Sequence, residues 1–163
     1  MDLRARKENR LGGHDYSTAG YYFVTLCVKD RHEILGEVVP VGARIARPQI
    51  ILSDTGTVVD TAIRNIGAIY PSASVDKYVI MPNHIHLILI LREIDRGRAM
   101  RAPTIATIIN QMKGYATKQI GYTIWQKLYH DHIIRGEAEY LRIWEYVDAN
   151  PAKWADDEYY TNR

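Results

Sequence analysis

The chain has 163 residues, 47% of them hydrophobic and 25% charged, and a formal net charge of +2. This length suits one domain with a real core, and the composition is that of an ordinary soluble globular protein. No run reaches the roughly 18 apolar residues of a membrane span, and the charged stretch 1–10 lacks the apolar centre of a secretory signal. A single cysteine, Cys27, excludes an intramolecular disulfide framework. Its apolar surroundings suggest a buried small hydrophobe rather than a nucleophile. A cytoplasmic location is therefore expected, with no membrane partner. The net charge alone does not call for nucleic acid. Its distribution is more suggestive: Arg4, Arg6, Lys7 and Arg10 crowd one end, and Arg92, Arg96, Arg98 and Arg101 follow one apolar run. Solvated loops are the commoner explanation, although two basic segments near one site would suit a phosphate backbone.

In chain order, residues 21–28 are β-branched and aromatic and predict a strand. Residues 36–48 carry Pro40, Gly42 and Pro48 among Val and Ile, which suggests a short hairpin or an irregular excursion. The apolar spacing across 50–69 predicts a helix with Ser53 or Asp54 as its N-cap and Pro71 beyond its end. Residues 73–81 and 84–91 predict a hairpin around the turn signal Pro82-Asn83. Ile105, Ile108, Ile109, Met112 and Tyr115 mark a helix over 103–120, stopped by Gly121. A strand over 124–134 and a helix over 137–149 complete the order, the helix ended by Pro151 because a residue before proline avoids the α region. Strands paired by hairpins, together with long helices, indicate an α+β sandwich of one antiparallel sheet with helices packed mainly on one face. No repeat or linker divides residues 1–163, so a single domain is expected.

The hairpin carries the most informative feature, His84-Ile85-His86 at the head of a long apolar run. A strand sends residues i and i+2 to the same face. The two imidazoles therefore point together, about 7 Å apart at their Cα atoms, and can lean onto one ion, since His–metal bonds are about 2.1 Å. Ring nitrogens within ~5 Å of each other are expected. Ile85 faces the other way and can bury. The bland alternative is a pair of half-exposed sheet histidines bonded to neighbours. Polar groups on an apolar strand cost free energy unless something satisfies them, and a sheet rim is where functional groups tend to sit.

Twelve tyrosines against one phenylalanine is a high usage, and most of them will serve packing. Tyr146 is the best candidate for chemistry, because Tyr146 and Asn150 are four apart and share one helical face. The alternative is that Tyr146 packs and Asn150 only caps the helix. A second pair, His130 and His132, flanks Asp131, which a strand would turn to the opposite face. His132 and Arg135 could contact DNA, Arg135 by pairing with a phosphate.

These residues resemble a known family. Residues 78–89, with the histidine–hydrophobe–histidine (HUH) pattern, are similar to the motif of the single-tyrosine transposases. Trp125-Gln126 with the segment from Tyr129 to Arg135, the run from Glu145 to Pro151, and the opening blocks Asp15-Tyr16-Ser17 and Gly20 to Thr25 resemble further blocks of the REP-associated branch. The likeness spans roughly residues 10–154, and several blocks in the correct order are more specific than one His pair. It implies a ferredoxin-like fold and a metal-dependent cleavage and rejoining of single-stranded DNA at hairpin-associated sites. His84 and His86 would be metal ligands and Tyr146 the nucleophile, forming a 5′-phosphotyrosine link. Asn150 falls where insertion-sequence relatives carry a glutamine that helps hold the ion, so it is the candidate third ligand, and that departure leaves the third position open. Mg²⁺ or Mn²⁺ is the implied cofactor, Mn²⁺ tolerating nitrogen better. Hairpin-bearing single-stranded DNA is the implied partner, contacted by Arg135, His132 and Arg10. The wider family can supply the tyrosine helix from a partner subunit in a homodimer, whereas the REP-associated branch can act as a monomer.

Three functions compete on the sequence: the transposase, a sequence-specific DNA-hairpin binding protein that does not cleave, and a metal-dependent hydrolase of small phosphoesters in which Tyr146 only orients substrate. Tyr115 is an alternative nucleophile outside the matching block.

Overall fold

A computed structural model describes residues 13–40, 42, 47–94 and 102–161. The elements are β1 (Gly20–Cys27), a 3₁₀ turn (Lys29–Arg31), β2 (Gly36–Val39), β3 (Gln49–Leu52), α1 (Asp54–Arg64), α2 (Ile66–Ile69), β4 (Ala73–Ile80), β5 (His84–Leu91), α3 (Ile105–Ile120), β6 (His130–Ile134), α4 (Glu137–Ala149) and a 3₁₀ helix (Asn150–Asp156). The main sheet has the order β4-β5-β1-β6, every neighbour antiparallel, and β2 and β3 form a separate hairpin. This is the α+β sandwich that the sequence pattern predicts. Arg4, Arg6, Lys7, Arg10, Arg96, Arg98 and Arg101 lie outside the described residues.

Strand alternation divides the sheet into two faces. Tyr22, Val24 and Leu26 of β1 and Ile85, Leu87 and Leu89 of β5 point one way. They bury against Val59, Ala62 and Ile63 of α1 and Ile105, Ile108, Ile109 and Met112 of α3. The opposite face carries Tyr21, Phe23, Thr25, His84, His86 and Ile88, and among the described residues α4 is the long helix that covers it. Two long helices thus share one face and the third lies across the other. Among the described residues no helix is long and apolar enough to cross a membrane.

Local chemistry sets the boundaries. Ser53 caps α1 by accepting from the Gly56 N–H at 3.0 Å, a loss of about 1 kcal/mol if removed. The helical stretch is shorter than the expected 50–69. Residues 50–52 pair with β2 instead, and the helix breaks at Asn65 before the short α2. Thr104 caps α3 by accepting from the Thr107 N–H, and Gly121 ends it at φ 94°, a left-handed conformation that glycine adopts without strain. The strand expected over 124–134 is only His130–Ile134. Ahead of it, Ile124 and Trp125 are tied to the end of β1 by single bonds, Lys29 N–H to Ile124 O at 2.7 Å and Gln126 N–H to Cys27 O at 2.9 Å. Lys113 on α3 donates to the Gln126 carbonyl at 2.9 Å.

At the end of α4 the chain does not turn away at Pro151. Asn150 stays helical at φ −54°, ψ −45°, and the helix tightens into a 3₁₀ turn with proline in its first turn. The missing proline N–H is harmless there, because the first N–H groups of a helical turn have no partner within it. This continuation carries residues 150–161 back over the sheet.

Gly56 shows how closely α1 is held. A Cβ at this position would lie 1.9 Å from the Leu35 carbonyl oxygen, a backbone atom. Gly56→Ala is expected to destabilise the fold by about 1–3 kcal/mol, read as a lower midpoint in urea unfolding. An unchanged midpoint would show that the β2 approach yields freely.

Candidate active site

The site forms where the α4 face of β5 meets the rim of the sheet. His84 and His86 point the same way, and their Nε2 atoms are 3.1 Å apart. They are 0% and 1% exposed, so the half-exposed alternative does not apply. Ile85 faces the core at 0% exposure.

The distal ring atoms are held by neighbours. Asn83 donates through Nδ2 to the backbone carbonyls of Tyr159 at 2.7 Å and Arg31 at 3.3 Å. Its Oδ1 therefore faces the His84 Nδ1, 2.8 Å away, and can only accept. The proton of His84 thus sits on Nδ1, leaving the Nε2 lone pair free to face inward. His86 Nδ1 meets the Thr25 hydroxyl at 2.7 Å, a group that can donate or accept and so supports either tautomer. Such outer hydrogen bonds fix the orientation of metal-binding histidines. Phe23 stacks on His86 at 5.3 Å and Tyr159 lies 4.5 Å from His84, ring centre to ring centre, closing the pair against water.

α4 places Tyr146 and Asn150 on this face together. The Tyr146 hydroxyl is 3.3 Å from His86 Nε2, within the same chain. The side chain is still 42% exposed, so a substrate can reach it. Asn150 is 2% exposed, and its Oδ1 has no hydrogen-bond partner. The turn after Asn150 adds a residue that sequence reasoning missed. Asp157 brings a carboxylate within 4.8 Å of the ligand atoms of both histidines. An acidic residue beyond the nucleophile block was the only signal, and nothing in periodicity placed it.

α4 is pinned to its own sheet. Lys77 of β4 bonds Asp148 at 2.6 Å and lies 4.0 Å above the Trp144 ring, and Arg47 pairs with the same carboxylate. Tyr140 donates to Asp76 at 2.7 Å, the residue left over where the β4–β5 register shifts.

The other sequence candidates fall elsewhere. His132 is opposite Phe23 in register and bonds Glu139 at 2.7 Å, and Arg135 is exposed where β6 leads into α4. Asp131 turns to the other face and is buried. Arg10 lies outside the described residues. Tyr115 packs against the core on the α1/α3 face, across the sheet from the histidines. Cys27 is half-buried, and burial pushes its thiol up to about 11, which fits an inert side chain.

The residues present fit a divalent cation. Two imidazole nitrogens converge, a buried amide oxygen has no partner, and a carboxylate stands beside them. The charges agree. Burial and then the Arg31 cation push His84 down to about 3, and burial pushes His86 well below its usual range, so both rings are neutral and able to ligate. Burial raises the Tyr146 phenol, the Asp157 and Glu158 charges raise it further, and Asn150 opposes them. Burial likewise raises Asp157.

Acid stability follows from His84. The unfolded chain takes up a proton near 6.5, whereas the folded protein resists until about 3, so stability declines as pH falls through that window. At pH 5 this one residue accounts for roughly 2 kcal/mol. The metal-free protein should show a urea midpoint that drops between pH 7 and 5, with a shallower drop in His84→Asn. Equal slopes in the two proteins would contradict the assignment.

No family profile matches the chain. A Haemophilus influenzae protein described as an "Uncharacterized protein" is 32% identical over 179 aligned positions, covering 98% of this chain and 96% of its own. A second protein of that organism, described as a "Putative REP-associated tyrosine transposase", is 24% identical over 147 positions, covering 85% of this chain and 74% of its own. The solved structure of a REP-associated tyrosine transposase bound to a REP hairpin shares the fold, with a TM-score of 0.64 at 21% identity over 89% of this chain and 74% of that one. In sequence the chain is thus similar to a putative REP-associated tyrosine transposase, and it shares its fold with a solved one.

Proposed function

We propose that the protein cleaves and rejoins single-stranded DNA at hairpin-associated sites with Tyr146 as nucleophile, in the presence of a divalent cation. The observation that carries this reading is the Tyr146 hydroxyl 3.3 Å from His86 Nε2, beside two desolvated imidazoles whose lone pairs can converge. His84 and His86 would hold Mg²⁺ or Mn²⁺ together with the Asn150 Oδ1, and Asp157 would add the carboxylate that a hard cation prefers. When bound, the ion supplies positive charge against the phosphate oxygens.

The chain's own groups do the rest. Tyr146 Oη attacks the phosphorus, its proton leaves toward solvent, and the bond from phosphorus to the 3′ oxygen breaks. That oxygen takes up a proton as a free 3′-OH, and the 5′ side stays on the tyrosine. A 3′-OH can then attack the phosphotyrosine and reverse the exchange without ATP. Burial first, and then the Asp157 and Glu158 charges, hold the phenol protonated, so neutralising Asp157 favours the phenolate. Asn150 contributes in the same direction. Because α4 is tied down by Lys77 and Asp76 of its own chain, Tyr146 acts at the His pair of the same subunit in this reading. Arg135 and His132, and Arg10 by sequence, are the proposed DNA contacts, and the hairpin-bound relative makes hairpin DNA the natural probe.

With a labelled hairpin oligonucleotide and Mn²⁺, the wild-type protein should form a denaturant-stable covalent adduct that Tyr146→Phe lacks while still binding. His84→Ala should lose cleavage and keep most of its DNA affinity, which comes from contacts spread over the surface. An adduct retained by Tyr146→Phe would overturn the nucleophile assignment, and binding without any adduct in the wild type would favour a non-cleaving hairpin binder.

The role of Asp157 has its own test. Mn²⁺ titrations followed by electron paramagnetic resonance should show affinity weakened roughly tenfold or more in Asp157→Asn, since removing a charged ligand lowers cation affinity. Unaltered affinity would remove Asp157 from the ligand set.

A further inference from the structure

We infer that a pocket on the α4 face, some way along from Tyr146, receives an unpaired nucleobase of the DNA strand being processed. This rests on the proposed DNA reading and adds a subsite to it. The pocket has a volume of about 420 Å³ and is lined by Tyr21, Ile134, Gly136, Glu137 and Tyr140. That is a size typical of small-ligand sites.

Its walls match a flat aromatic ring. Tyr21 and Tyr140 meet edge to face with centroids 5.5 Å apart, and Tyr21 is 42% exposed. The Tyr140 ring is held in orientation by its bond to Asp76 at 2.7 Å, so little side-chain freedom is lost when a base stacks on it. Tyr21 belongs to the sheet face that bears the histidines, two residues from Phe23, whose ring contacts both His86 and Tyr146. Tyr140 is six residues before Tyr146 on the same helix, a rise of about 9 Å. An aromatic track therefore runs from the reactive hydroxyl to the pocket over a span of roughly one or two nucleotides, the arrangement by which single strands are held through stacking.

Charge separates base from phosphate. Glu137 gives the pocket an acidic wall that repels a phosphate. Arg135, exposed and placed between the lining residues Ile134 and Gly136, offers a cation at the rim for the backbone. A nucleotide can thus enter base first with its phosphate outside.

The test uses a hairpin oligonucleotide with single-stranded flanks whose thymines are replaced by 5-iodouracil, bound to full-length Tyr146→Phe so that the complex stays non-covalent. Ultraviolet cross-linking and peptide mapping should find the flank attached at Tyr21 or Tyr140. Tyr140→Leu and Tyr21→Leu, checked for unchanged melting, should each weaken binding of the flanked hairpin by roughly 5- to 150-fold, the range of one lost stacking partner. They should leave a blunt hairpin unaffected. Cross-links confined to other residues, or equal affinities for flanked DNA across the variants, would overturn the pocket. If either occurs while the wild type still forms its Tyr146 adduct, only this inference fails. Absence of both adduct and binding would remove the DNA reading as well.

Discussion

Two imidazoles buried side by side on a central strand set the terms for everything around them. Neutral histidines in an apolar setting carry polar nitrogens that must be met, and each unmet one would cost on the order of 1–3 kcal/mol. The chain meets the outer nitrogens with Asn83 and Thr25 and leaves the inner ones facing each other across 3.1 Å. Thr25 stands directly opposite His86 in the β1–β5 register, so one pairing of two strands both builds the sheet and fixes a ring. Slipping that register by one residue would turn the histidines into the α1/α3 core and bring Ile85 out. The apolar alternation of β1 and β5 therefore protects the site as well as the fold.

Orientation of Asn83 reaches farther. Its amide is fixed by carbonyls from two distant segments, Arg31 and Tyr159. The turn that presents the first holds Asp30 and Arg31 at φ of 56° and 55°, a left-handed conformation costing non-glycine residues about 1 kcal/mol or more each. The strained turn is held in place by what it touches. The Arg31 guanidinium donates to the Glu158 carbonyl at 3.1 Å and lies over the Tyr159 ring, while Thr161 donates to Glu33 at 2.9 Å. The turn after β1 and the last described residues thus support each other, and between them they fix the ring of His84. The strain sits beside the candidate site rather than in a remote loop, as expected where geometry matters more than local comfort.

Much of this was legible in the residues. Periodicity located β1, β4, β5, α3 and α4, because each has a long, regular apolar pattern. The i, i+2 spacing predicted two rings on one face, and the i, i+4 spacing put Tyr146 with Asn150. Failures came where tertiary contacts overrode local rules. Residues 50–52 joined a hairpin, residues 124–127 were held by single bonds to the end of β1 and to Lys113 instead of a ladder, and Asn150 stayed helical before proline because a 3₁₀ turn absorbed the missing N–H. The second-face position of α4 was invisible for a different reason. Its apolar stripe shows that it packs, whereas only the handedness and length of the β6 connection decide against which face. Asp157 and the pairing of Tyr21 with Tyr140 depended on that choice, so no local pattern could announce them.

Electrostatics then gives the site a direction. With both histidines neutral, burial holds the Tyr146 phenol protonated, and the charges of Asp157 and Glu158 add to that effect. Those two carboxylates oppose a phenolate and also oppose an approaching phosphate, since like charges repel. The resting arrangement is therefore self-restraining: it holds the phenol protonated and repels the substrate class proposed for it. A positive charge placed among His84, His86 and Asp157 weakens both effects at once, because it offsets a carboxylate that acts on phenol and phosphate alike. In the proposed reaction the acidic turn that follows α4 thus ties the reactivity of Tyr146 to the cation, while DNA affinity rests on contacts spread over the surface.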